Sequence, residues 1–299
     1  MSDLPELEMR VYRATVVRIV DLTPSLRRIV FGGAGLADFE TTGGGDEYLR
    51  VLMPAAGETE PVLPEISEGV FDYGAVDLGL LRTYTVRDFD RETGEVSIDF
   101  VLHDRGVATT WARAALPGDV VGLNTPTAMY DPPDALTWQI LVADCAGLPA
   151  LSRILENTPD RVRNRVVVEV PDEQHHIELP AHPRVEVTWV HGGNGHRPSR
   201  LDEVVRSLAR PDGSGGYVWV VGESKALRGV RRYLRHELGL PASAYKAVGY
   251  WIERAEEWQT RYDALDDHTR SRLEALWQQD RAEEEIEDEY DQRLTALGL

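Results

Sequence analysis

The chain has 299 residues, 32 Lys and Arg against 51 Asp and Glu, and a formal charge of −19. The length predicts two folded units rather than one core, and 42% hydrophobic residues exclude global disorder. So acidic a surface repels phosphate backbones and excludes nucleic acid as a partner, while one cysteine, Cys145, rules out an internal disulfide and fits a reducing compartment.

The first part reads as β. "RATVVRIVDLTPSLRRIVFGG" holds two β-branched runs around the turn signal "DLTPS", and "EYLRVLMP" is a third strand. Residues 54–80 form a long irregular stretch with Pro54, Pro61 and Pro64, of the kind that is functional or mobile. "RTYTVRDFD" and "EVSIDFVLH" follow as strands, then a helix in "GVATTWARAAL" and a strand in "VVGLN". Five or six antiparallel strands with one short helix predict a small antiparallel β-barrel over 1–134.

After "MYDPPDALT" the rhythm changes to α/β. "WQILVA", "RVVVEV", "VEVTWV", "GYVWVVG" and "AVGYW" are apolar strands; "LPALSRILENT", "SRLDEVVRSLA" with Ser199 as N-cap, and "SKALRGVRRYLRHEL" are helices. This alternation predicts a parallel sheet covered on both faces over 135–252. The remainder, 253–299, has fifteen acids against six arginines, with Trp258, Tyr262, Leu265, Leu273, Leu276 and Trp277 at helical spacing. It is expected as an acidic helical tail whose "EEEIEDE" run is a solvated face. The start lacks a basic region followed by an apolar run, and no stretch has spanning length; the expectation is a cytoplasmic protein without membrane insertion, monomer or homodimer.

Three constellations carry chemistry. In "LRTYTVR" strand alternation puts Arg82 and Tyr84 on one face and Thr83 and Thr85 on the other. An arginine fork suits a phosphate and an aromatic ring a flat heterocycle, although the same residues also make an ordinary strand. In "HDRGVATTWA", Gly106 permits close backbone approach, and Val107, Ala108, Thr109 and Thr110 open a helix whose free N–H groups suit a pyrophosphate or are simply capped. Third, "LVADCAGLPA" and "VWVVGESKAL" run strand, small loop, helix, placing Asp144, Cys145, Ala146 and Gly147, and Gly222, Glu223 and Ser224, at the carboxyl edge where open α/β sheets bind ligands. No G-x-G-x-x-G follows a strand; "GGNGHR" and "GSGGY" read as plain loops, the histidines lack zinc spacing, and Cys145 reads as a buried thiol.

Taken in order, "RTYTVR", "VLHDRGVATTWARAALPGD", "LVADCAGLPALSRILE", "VWVVGESKALRGVRRYLRHELGL" and "GYW" resemble the ferredoxin-NADP reductase superfamily and, within it, the siderophore-interacting protein family of ferric-siderophore reductases, over about residues 10–255. The resemblance implies a Greek-key FAD-binding barrel and a five-stranded NAD(P)H-binding domain. It implies Arg82 toward a phosphate, Tyr84 and Thr85 at the isoalloxazine, and His103 and Gly106 to Thr110 around the FAD pyrophosphate. Asp144, Ala146, Gly222 and Glu223 fall on the nicotinamide side, and Gly249, Tyr250 and Trp251 on the strand end that meets the flavin. Asp144-Cys145-Ala146-Gly147 stands where the family commonly reads Asp-Glu-Thr-Ala, so the hydroxyl at 146 is missing.

The function implied is cytoplasmic reduction of a ferric siderophore with FAD and NADH or NADPH; the alternative is a general NAD(P)H-dependent flavin or electron-transfer reductase. Many siderophores are anionic, so a basic pocket beside the flavin is expected, with Lys246, Arg254 and Arg50 as its candidates. Glu169, Asp172 and Glu173 at the end of the second parallel strand lean toward NADH rather than a 2′-phosphate.

Overall fold

A computed structural model describes residues 4–67, 69–104, 106–209, 215–281 and 283–299, with the backbone alone at 256, 283 and 284. Nine strands come first: β1 (Val11–Thr23), β2 (Leu26–Gly32), β3 (Tyr48–Leu52), β4 (Glu65–Ser67), β5 (Val70–Asp72), β6 (Leu81–Thr85), β7 (Asp88–Asp90), β8 (Glu95–Val101) and, after helix α1 (Val107–Ala114), β9 (Val120–Asn124). Seven of them form one antiparallel sheet in the order β6-β3-β9-β1-β2-β8-β7. It curls as the expected antiparallel barrel, without closing by hydrogen bonds between its edge strands. Instead β6 packs over β8, and α1 lies against β8 and the turn at Leu78–Leu80. The inner face is apolar, with Phe31, Ile98, Phe100 and Leu123 fully buried. Each such side chain contributes on the order of 2 kcal/mol.

The stretch 54–80 is less irregular than expected: β4 and β5 pair within it as a separate hairpin. Their apolar residues face outward, so they join no larger sheet.

The second sheet is parallel, in the order β12-β11-β10-β13-β14: β10 (Trp138–Asp144), β11 (Arg163–Val170), β12 (Val185–His191), β13 (Gly216–Glu223) and β14 (Tyr245–Trp251). Every residue of β10 is buried, as a central strand with both faces covered requires. Helix α2 (Leu148–Asn157) covers one face, and α3 (Leu201–Ser207) and α4 (Ser224–Arg232) the other. Between β11 and β12 the crossing segment forms only a short 3-10 turn at Glu173–His175, and Ile177 and Leu179 pack on the core where an α-helix would lie. Ser199 does not cap α3 as expected: Arg200 is the N-cap, and the Ser199 hydroxyl donates to Glu169 at 2.8 Å.

Residues 41–47 tie the sheets together. Gly45 lies so close to Ile154 of α2 that a Cβ would collide with it. Asp46, fully buried, accepts from the amides of Met129 and Tyr130 at 2.8 and 2.7 Å and from Trp219 Nε1 at 3.3 Å. Glu47, equally buried, accepts from Arg153 Nη1 at 2.7 Å, and the same nitrogen donates to the Val86 carbonyl at 2.8 Å.

The tail forms α5 (Ala255–Asp263), α6 (Asp267–Glu274) and α7 (Glu283–Ala296), with Leu273, Leu276, Ile286 and Leu294 buried among them. The acidic run is not simply solvated: Asp291 accepts from Arg231 Nε at 2.9 Å, Glu285 pairs with Arg235 at 3.4 Å, and Asp288 meets His236 at 2.8 Å. Among the described residues no helix is long and apolar enough to cross a membrane.

Candidate active site at the seam of the two sheets

β6 pairs with β3 so that Arg82 stands opposite Val51, Thr83 opposite Arg50, Tyr84 opposite Leu49 and Thr85 opposite Tyr48. The alternation read from sequence holds. Tyr84 turns inward, its ring 4.3 Å from that of Phe100, which lies 5.7 Å from Trp111 of α1. Three rings in tilted contact therefore join the 82–85 strand to the helix that follows the Gly106 turn. Burial raises the Tyr84 phenol well above its usual range. Arg82 is exposed, its Nη1 donating to the carbonyls of Gly79 and Leu81 at 3.0 and 2.7 Å, which holds the fork at the mouth of the strand.

At the head of α1, Gly106 has φ +112°, and a Cβ there would stand 3.1 Å from His103 Cε1. His103 is exposed at the turn, and partial desolvation of its ring lowers its basicity. Arg105, between them, lies outside the described residues. Both threonine hydroxyls are turned to the backbone: Thr110 donates to the Gly106 carbonyl at 3.0 Å, and Thr109 accepts from the His103 amide at 3.4 Å. No side chain caps the helix, so the first-turn N–H groups at Val107 and Ala108 face outward over a glycine.

Across the seam lies the carboxyl edge of the parallel sheet. Asp144, fully buried, accepts from Trp251 Nε1 at 2.6 Å and from the Ala146 amide at 2.9 Å. Burial, opposed by these bonds, pushes its pKa up to about 7. Gly222 has φ +156°, and a Cβ would meet Asp144 Oδ2 at 2.8 Å. Gly222 pairs with Gly249, but Glu223 pairs with Trp251; this bulge at Tyr250 swings the indole over Asp144. Glu223 accepts from the Ala226 amide at 2.9 Å and so caps α4. The predicted edge residues do come together, but the two carboxylates are engaged within the protein.

Three participants go beyond the sequence reading, which places Tyr250 only on the strand end that meets the flavin and gives Asn194 and Asp46 no role. Tyr250 lies at the seam near Thr85, Tyr48, Asp46 and Asp144; burial and these acids hold its phenol well above the usual range, and its hydroxyl makes no hydrogen bond of good geometry. Asn194, in "GGNGHR", is not in a plain loop. At φ +58° it accepts from the Cys145 amide and donates to the Glu169 carbonyl, both at 3.0 Å. Asp46 is the third. The glycines flanking Asn194 were the one legible signal. "GSGGY" has its first two residues outside the described ones, and Cys145 is buried as expected.

The three candidate cations do not gather at Tyr84. Arg50 takes the opposite face of the β3–β6 pair and stacks over Tyr73 at 5.1 Å. Lys246 is nearly buried and acts on Asp46. Arg254, at φ +55°, opens α5 and pairs with Glu257 at 3.6 Å in solvent. Among the described residues no group of three potential metal ligands occurs.

The arrangement fits a flavin dinucleotide. Gly106 leaves a cradle that a Cβ would fill, and the partnerless Tyr250 hydroxyl sits beside Thr85 where the two sheets face one another.

Two family profiles match: the siderophore-interacting FAD-binding domain over residues 15–130 and the siderophore-interacting protein over 136–254. An uncharacterized protein of Mycobacterium tuberculosis is 31% identical over 259 residues, covering 81% of this chain and 90% of its own. The NADPH-dependent ferric-chelate reductase of Escherichia coli is 28% identical over 247 residues, covering 82% and 94%. The crystal structure of a siderophore utilization protein from T. fusca superposes with a TM-score of 0.74 at 30% identity, covering 84% of this chain and 96% of that one.

Proposed function

The chain belongs to the siderophore-interacting protein family, and from that premise we propose that it is a FAD-carrying oxidoreductase that uses NADH or NADPH to reduce ferric siderophores. One observation carries the reading. The Tyr84–Phe100–Trp111 ring cluster brings the 82–85 ledge and the Gly106 turn to one side of a seam whose other side is the Asp144–Trp251 edge. In this reading residues 1–134 carry FAD, 135–252 take the nucleotide and 253–299 form the tail.

Arg82 and the first-turn amides of Val107 and Ala108 hold the pyrophosphate, with His103 and Gly106 shaping the turn and Thr109 and Thr110 bracing it. Tyr84 and Thr85 seat the ring, and the Tyr250 hydroxyl offers it a hydrogen bond from across the seam. Asp144, Ala146, Gly222, Glu223 and Trp251 frame the nicotinamide. The basic pocket expected beside the flavin has no part in this reading, because Arg50, Lys246 and Arg254 are engaged apart from one another by Tyr73, Asp46 and Glu257. Bound FAD supplies a carrier that accepts electrons as a pair and releases them singly. One NAD(P)H is oxidised, two ferric ions each gain one electron, and one proton is released. Hard siderophore oxygens hold iron(II) weakly, so reduction frees the metal. The single buried thiol suits action in the cytoplasm. Exposed Asp172 and Glu173 at the end of β11 disfavour a 2′-phosphate and so favour NADH, whereas the Escherichia coli relative is named for NADPH.

The test is anaerobic. The purified, FAD-loaded protein should bleach near 450 nm with NADH or NADPH and recolour on adding a ferric siderophore, with iron(II) captured by a ferrous-specific chelator. A colourless protein that takes up no FAD, or one that reduces free flavin and leaves the chelate ferric, overturns the reading.

A further inference from the structure

The wall beside the 82–85 ledge has an unexpected chemistry. Residues 54–80 contain six acids and neither lysine nor arginine. This segment folds back on the face of β3 and β6 that carries Thr83 and Thr85: Tyr73 covers Arg50, and Leu63 lies over Gly122 beside Leu52. It ends in the turn at Leu78–Leu80, which touches α1 and accepts from Arg82. The wall therefore backs the β3–β6 pair on the face opposite Tyr84 and reaches the proposed flavin ledge at Arg82, through the Leu78–Leu80 turn.

Its outward side is apolar and acidic together. Val62, Ile66, Val70 and Leu78 are 58%, 43%, 63% and 62% exposed, more than isolated surface aliphatics require. Glu58, Glu60, Glu65, Asp72 and Asp77 are all exposed among them. Of the cations within reach, Arg13 pairs with Glu60, Arg50 lies on the Tyr73 ring and Lys246 faces Asp46, while Arg82 donates to two carbonyls and belongs to the proposed pyrophosphate site. The whole chain adds a charge of −19.

Resting on the reading above, we infer that the ferric chelate reduced here is uncharged or cationic with apolar flanks, of the tris-hydroxamate class, and not a tris-catecholate. Three hydroxamates neutralise iron(III), whereas three catecholates leave a trianion. An acidic wall repels the trianion and accelerates a cation's approach, both through a field that salt screens. The apolar side chains bury the linkers of a chelate that has no charge to desolvate. Each ferric ion takes one electron, two per NAD(P)H oxidised, in either case.

The experiment uses the FAD-loaded full chain with NADH, a ferrous-specific trap, and three probes. These are a neutral cyclic ferric tris-hydroxamate, a linear ferric tris-hydroxamate bearing a free ammonium, and a ferric tris-catecholate. The probes differ in potential, so the readout is each probe's own KM and salt slope. Raising salt from about 10 to about 300 mM should raise kcat/KM for the trianion several-fold, lower it for the cation and leave the neutral probe flat. Glu58→Lys/Glu65→Lys should move the KM of trianion and cation several-fold in opposite directions; Val62→Ser/Val70→Ser should raise KM for the neutral probe. The inference is overturned if the trianion has the lowest KM with a rate that falls with salt, or if the charge variant leaves the KM ratio unchanged. A flavin that bleaches with NADH and reduces none of the three overturns the siderophore-reductase reading itself, and this inference with it.

Discussion

The Trp251 indole nitrogen donates to Asp144 at 2.6 Å, joining the ends of two strands of the parallel sheet through a fully buried carboxyl. Its pKa, pushed up to about 7, ties stability to pH with a definite sign. The folded state holds the proton to about pH 7, whereas the unfolded chain releases it near the ordinary carboxylate value. Stability present below about pH 4 is therefore lost as pH rises toward 7, by roughly 4 kcal/mol from this group. Glu169, also raised chiefly by burial, acts in the same direction. Urea midpoints should fall between pH 5 and pH 8. Asp144→Asn should be less stable than the parent at pH 5, because its amide faces one of two N–H donors, and should show a shallower slope. An unchanged slope would mean that Asp144 is ionised throughout.

The Glu47–Arg153 pair spans the two sheets with both side chains nearly out of solvent. Removing one partner strands the other charge. Arg153→Ala should cost about 3–5 kcal/mol in chemical denaturation, whereas Glu47→Gln/Arg153→Met should cost clearly less, because neither buried ion then remains. Equal losses in the two variants would show that packing against Val86, not charge, is what Arg153 supplies.

The strands and most helices were legible because burial imposes a period: β10 is uniformly apolar and buried on both faces, and the face alternation of 82–85 holds in the β6–β3 register. What escaped is what depends on distant partners. Nothing near Asp46 announces burial; its donors come from residues 129, 130 and 219. The Trp251–Asp144 bond needs the bulge at Tyr250, which leaves no compositional mark. Ile66 and Val70 pair into a hairpin with an exposed apolar side, so their pattern lacks a buried face to read. The acidic run "EEEIEDE" at 283–289 reads as solvated because the partners of Glu285, Glu287 and Asp288, namely Arg235, Arg231 and His236, lie about fifty residues away in sequence.

Gly106 tests the flavin ledge independently of activity. An alanine there must hold φ +112°, a conformation L-residues rarely adopt, with its methyl 3.1 Å from His103. Gly106→Ala should cost about 1–2 kcal/mol of stability and, by tilting the first turn of α1, weaken FAD binding at least tenfold, read by quenching of flavin fluorescence on titration. His103→Ala combined with Gly106→Ala relieves the contact but not the backbone strain, so binding should recover only in part. Full FAD retention in Gly106→Ala would remove the α1 turn from the site.

Arg231 ties the tail to the candidate nucleotide edge. Its guanidinium is nearly buried, donating from Nε to Asp291 of α7 at 2.9 Å and from Nη1 to the Ala247 carbonyl of β14 at 2.8 Å. β14 ends at Trp251, so one side chain spans the tail and the strand that closes over Asp144. Asp291→Ala leaves that cation short of its nearest counter-charge in a desolvated site, at a cost of about 3–5 kcal/mol. Because α7 packs on α4 rather than on the antiparallel sheet, the loss should be local: faster amide exchange in α7 and β14, an unchanged FAD content, and a KM for NAD(P)H raised several-fold. Loss of FAD along with the tail contacts would instead make the tail a support of the whole molecule. Unchanged exchange in β14 would break the proposed link between Asp291 and the Trp251 edge.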